Sequence, residues 1–150
     1  PRICDTPIGV MYGMRALSTF SDVRVMLVEW GEPVDVFLEA EQAAGKFTPV
    51  GNPSHIVLVG NDGVPHEHAL IRADQLDATI SQPANSYAQY AVFYSRQALE
   101  GKTYSAGQTT DHNSTIVSLQ GNLEDALPAP VVDKTNVNDP NLWGNSKSKS

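Results

Sequence analysis

The sequence is short of cysteine, short of charge and short of long apolar runs. Cys4 is the one cysteine among 150 residues, so no disulfide can form within the chain. No unbroken run of about 18 apolar residues occurs, so no membrane-spanning helix is expected. No charged leader followed by an apolar core opens the chain, and Pro1 fits a start from which an initiator Met has been removed. A native start made in a cytoplasm is expected on that basis. Charged residues make up 18%, against about 25% in ordinary domains. Their balance is acidic, −7 overall, which repels phosphate backbones and argues against nucleic-acid binding. There is no internal repeat that would signal a solenoid or propeller.

What is present instead is a polar, turn-rich composition with 11 Gly and 10 Pro. Such a mix favours strands joined by turns over long charged surface helices. The fold class it predicts is mainly β, a sandwich or barrel with room for one short helix, carrying extended N- and C-terminal arms. Residues 1–20 read as an N-terminal arm or irregular first strand, 21–121 as the β-rich domain, and 122–150 as an extended C-terminal arm.

Local patterns refine this. Residues 22–30 carry Val23, Val25 and Leu27 at strand spacing. Gly31-Glu32-Pro33 is turn chemistry, and 34–40 alternate again, which predicts a hairpin. The competing reading is a helix from Pro33 to Ala44 closed by Gly45. Residues 55–59 read as a buried strand, with Gly60-Asn61-Asp62-Gly63 as a hairpin turn and 64–72 as the returning strand. Residues 73–85 read as a loop anchored by Leu76 or Ile80. Residues 86–100 fit a helix through Tyr87, Tyr90, Ala91, Tyr94 and Ala98, or a strand through Ala91–Tyr94. Residues 115–119 read as the final strand. From Gly121 onward, Pro128, Pro130 and Pro140 break any period.

Candidate chemistry concentrates in Pro65-His66-Glu67-His68. On a strand, residues i and i+2 share a face, so His66 and His68 could share a metal, and imidazole suits several divalent ions. Gly60, five intervening residues and His66-x-His68 resembles the first half of a cupin metal motif, which implies a β-barrel metalloprotein. His112 would stand for the third histidine. The Glu that cupins place after the pair is missing; Ile71, Arg72 and Ala73 stand there, with Asp74 one step beyond. The plain alternative for a histidine pair after a turn is a solvated surface. No nucleophile elbow is present. Asp35 and Glu39 read as solvated surface carboxylates.

The tyrosines suggest contact rather than catalysis. Tyr90 and Tyr94 combine buried area with a polar tip, which suits a subunit interface. The C-terminal arm has Leu142 and Trp143 as its bulky anchors and no visible means of folding alone, so a partner surface is expected to hold it. Partner-binding residues are therefore Trp143, Leu142, Tyr90 and Tyr94, with no catalytic residue and no cofactor. The architecture resembles a virion accessory protein, such as a bacteriophage capsid decoration or cement protein. That resemblance implies a non-enzymatic part of a protein shell, or self-association into a homo-oligomer, located in the virion and made in the host cytoplasm. Neither nucleic acid nor membrane is expected as a partner. The alternative is a cupin-like metal-dependent enzyme using His66, His68 and His112.

Overall fold

The computed structural model describes Leu17, residues 23–28 and residues 34–146. Apart from Leu17, the expected N-terminal arm lies outside the described residues, as do Cys4, the turn at 31–33 and residues 147–150 of the expected C-terminal arm. The fold is mixed α/β, not mainly β. The described residues form three α-helices and six strands in two sheets. The strands are β1 (Val25–Leu27), β2 (Val57–Asp62), β3 (Ala78–Ser81), β4 (Thr115–Leu119), β5 (Asn122–Ala126) and β6 (Val131–Asp133). The helices are α1 (Val34–Ala43), α2 (Pro65–Arg72) and α3 (Ala84–Leu99), and a short 3-10 turn spans Trp143–Asn145.

The chain gathers into two compact units, Pro1–Ser81 with Pro130–Ser150, and Gln82–Ala129. The first holds a four-stranded sheet in the order β1-β2-β3-β6. β1, β2 and β3 run parallel, and β6 pairs antiparallel with β3. Parallel neighbours require crossover connections, and helices supply them. That is why the two expected hairpins do not form. Val34, Phe37, Leu38 and Glu41 recur at helical spacing and are all buried, so 34–43 winds as α1. Gly45 follows at φ 66 and ends it.

The expected return strand at 64–72 is α2. Pro65 opens it, where its missing N–H is no loss. The Glu67 carboxylate reaches back to accept from the Val64 amide at 3.0 Å. Its inner face buries Glu67, His68, Leu70 and Ile71. Within the expected loop 73–85, β3 forms, with Leu76 packed into the core beside it.

The expected C-terminal arm is not an extended appendage. Its first part, β5, pairs antiparallel with β4. Its next part, β6, returns to the main sheet, and Val132, Val137 and Leu142 are buried with Leu58, Ile71 and Val34. Proline breaks the period of this segment without preventing each piece from finding a place in the same chain. The second unit consists of α3, a loop and the β4–β5 hairpin. Here the helical reading of 86–100 is the one that forms. No residue of α3 is fully buried.

Candidate functional site

In open α/β sheets, ligands bind beyond the carboxyl ends of the parallel strands. In the first unit that edge is formed by the end of β2, Asn61 and Asp62, beside the end of β3 at Ser81, with Asp62 in register with Ser81. Asp62 has φ 117, a backbone conformation that side-chain-bearing residues rarely hold, and Gly63 follows at φ 72. Backbone held this way tends to mark sites where a side chain must be aimed.

The surroundings explain how the conformation persists. Glu67 Oε2 accepts from the Gly63 amide at 2.8 Å, the Val64 amide at 3.0 Å and the Thr79 hydroxyl at 2.9 Å. Burial pushes the Glu67 pKa up, against the pull of those donors. Its other oxygen, Oε1, is buried without a hydrogen-bond partner. Gly60 makes room for it: a Cβ there would sit 2.0 Å from Oε1. From the other side, Trp143 Nε1 donates to the Asp62 carbonyl at 2.8 Å. Asn61 Nδ2 donates to Asp62 Oδ1 at 3.0 Å, so the amide and the carboxylate are aligned with each other.

The histidine pair does not share a face. On a helix, positions two apart point about 200° from each other. His66 is exposed and meets Asp35 at 2.8 Å, which places Asp35 on the surface as read. His68 is fully buried and its Nδ1 donates to Asn145 Oδ1 at 2.9 Å. Among the described residues, no group of three or more His, Cys, Asp or Glu side chains is placed to hold a metal ion.

His112 belongs to the second unit, in a cluster centred on Asp125. Asp125 accepts from Tyr94 OH at 2.9 Å, from His112 Nε2 at 2.6 Å and from the Ser114 hydroxyl. Burial raises the Asp125 pKa, but these three donors outweigh it and hold the carboxyl below its ordinary value. His112 Nδ1 faces Asp111 at 2.9 Å. Burial lowers the His112 pKa, and its two carboxylate partners raise it past the usual histidine value. Tyr90 stacks on the His112 ring at 3.6 Å. Tyr94, Tyr104, Ile116 and Leu123 wall a cavity of about 270 Å³ there. Ser114 bonds the carboxylate rather than the imidazole, so the group is not a nucleophilic triad.

The four residues expected to meet a partner all have intramolecular engagements. Leu142 lies in the main core, Trp143 bonds Asp62, and Tyr90 and Tyr94 join the Asp125 cluster.

A further buried group lies in the first unit. His55 Nε2 meets Asp77 at 2.8 Å and Nδ1 meets the Thr48 carbonyl at 2.6 Å. Burial pulls the His55 pKa down, but these acceptors raise it overall. Glu41 shares their electrostatic field, and burial pushes its pKa up to about 7.

The fold has a counterpart among solved structures. It is similar to the crystal structure of a sugar ABC transport system substrate-binding protein from Bordetella parapertussis, with a TM-score of 0.66 at 19% identity. The alignment covers 89% of this chain and 37% of that one, so the chain spans well under half of that protein's length. At such identity the likeness is one of fold. No family model matches the chain, and no curated protein matches it in sequence.

Proposed function

We propose that this chain forms part of a binding protein for a small polyhydroxylated ligand, with Asn61 and Asp62 supplying one wall of the site. The observation that carries the reading is Asp62, aimed from the carboxyl edge of a parallel sheet by a backbone held at φ 117. A carboxylate beside a carboxamide offers acceptors and donors suited to adjacent hydroxyl groups. Both side chains are half-buried, which leaves them partly reachable from solvent. The fold likeness to a sugar-transport substrate-binding protein supports the same class of ligand. Binding by one wall is expected to be weak, about millimolar. Ligand-detected NMR with D-glucose, D-galactose, D-ribose and D-xylose tests this. At least one should bind, and Asp62→Asn should weaken it about tenfold or more. Binding of none, or unchanged binding in the variant, overturns the reading.

A second reading, a structural component of a larger assembly such as a virion, draws on the exposed Val92, Leu99 and Leu119 of the second unit. It no longer draws on an arm that lacks partners within the chain. Native mass measurement of the purified protein tests it: a persistent homo-oligomer favours it, and a monomer at all concentrations removes its support.

A further inference from the structure

We propose that the 3-10 turn Trp143–Asn145 positions the Asp62 edge, so that ligand affinity there depends on a residue 81 positions away in the chain. The inference rests on the reading of that edge as a ligand wall. Trp143 is a positioning residue in it, not a ligand contact.

The argument starts from the backbone. Asp62 sits where an L-residue is strained, and Gly63 beside it also has positive φ. Such a pair stays put only when its neighbours fix it. Glu67 fixes the amides of Gly63 and Val64 from the helix side. The Asp62 carbonyl is fixed from the opposite direction by the Trp143 indole N–H at 2.8 Å. The Asp62–Gly63 peptide also carries the Gly63 amide bonded to Glu67, so freeing it at the Trp143 end loosens both bonds, and relaxation of the Asp62 φ from 117 would then re-aim the carboxylate.

The turn is itself anchored. Asn145 Oδ1 accepts from His68 Nδ1 and from Arg72, and its Nδ2 donates to the carbonyls of Val137 and Asp139. Gly144 lets the turn approach this closely. A Cβ there would lie 2.1 Å from the Gly63 carbonyl oxygen and 2.8 Å from His68 Cε1. The turn thus touches both residues of the strained pair, Asp62 through the indole and Gly63 through the bare glycine. The Trp143 side chain is only half-buried, and its N–H reaches the edge.

Two variants of the full chain test this. Trp143→Phe keeps an aromatic ring and removes the donor. Gly144→Ala pushes on the Gly63 carbonyl. Without any sugar, the amide resonances of Asp62 and Gly63 should shift or broaden in both, while those of Val34 and Leu38 stay in place. For whichever of the four monosaccharides binds the unaltered protein, Kd should rise about three- to tenfold in Trp143→Phe, the loss of one hydrogen bond. A role confined to stability would lower the melting temperature and leave the Asp62 and Gly63 resonances alone. Unmoved resonances in Trp143→Phe overturn the proposal, whether or not Gly144→Ala folds, and so does an unchanged Kd for a sugar that binds. Moved resonances with no sugar bound by the unaltered protein would defeat the ligand reading and leave the positioning role standing.

Discussion

The two units of this chain are stabilised by different means. The first buries a continuous apolar core between its sheet and helices, with Leu58, Ile71 and Val132 almost wholly withdrawn from solvent. The second has a helix with no fully buried residue and is drawn together around one carboxylate, Asp125, with three side-chain donors. An apolar core loses stability in proportion to the volume removed from it. A polar hub fails at one point, because deleting its acceptor strands every donor at once.

The contrast can be broken or sharpened by substitution. Trp143 lies in the first unit and Tyr87, Tyr90, Tyr94 and Tyr104 in the second, so the two can be followed by separate signals. Leu58→Ala should destabilise the first unit by about 4 kcal/mol, seen as a shift in the tryptophan-fluorescence unfolding curve. An effect under about 1 kcal/mol would mean that the core is looser than described. Asp125→Ala should destabilise the second unit by about 3 kcal/mol. The tyrosine near-UV signal reports it, and the tryptophan curve should move less.

Acidity provides the third comparison. An unfolded Glu41 releases its proton near pH 4.5, while the folded one holds it to about pH 7. The folded state therefore binds more protons between those values, and stability falls as pH rises through that window, by about 1 kcal/mol per pH unit. His55, also raised, adds stability that is fully present below about pH 6.5 and is lost as pH climbs through its folded pKa. Glu41→Gln should flatten the slope between pH 4.5 and 7 and leave the loss above it. A slope that survives in the variant would assign the proton elsewhere. Asp125 has the opposite sign: its lowered pKa gives stability that is lost as pH falls below about 4. The smallest effect belongs to His66→Ala. Its pair with Asp35 is about half exposed on both sides, so thermal melting should change by less than about 0.5 kcal/mol.

Part of the secondary structure, the strands β1, β2 and β4, was legible in the residues, and the topology was not. The apolar run at 55–59 marked β2, Thr115–Leu119 is the strand expected there, and the tyrosine spacing offered α3 as one of two open readings of 86–100. The helix over 34–43 was visible only as the competing reading, through Pro33 at its start and Gly45 at its end. The error lay in reading Gly60-Asn61-Asp62-Gly63 as a hairpin turn. Such a tetrad also ends a parallel strand before a crossover helix, and Pro65 with Glu67 two residues later was the helix-start signal that should have decided it. Taking α2 for a strand then made His66 and His68 look like a pair. The C-terminal segment misled for another reason. β6 is three residues long and its partner β3 lies some fifty positions earlier, so no local pattern could announce it. Of the candidate site, Trp143 was singled out as an anchor, but its target within the chain was not readable. Asp62 was hidden inside a turn motif; only its backbone angle distinguishes it.

The most direct measurement is an amide-resonance map of the full chain during titration with a monosaccharide that binds it. The account predicts shifts concentrated at Asn61, Asp62, Gly63 and Ser81, on the carboxyl edge of the first unit. Shifts concentrated instead at Tyr94, Tyr104 and Leu123, around the cavity of the second unit, would contradict it.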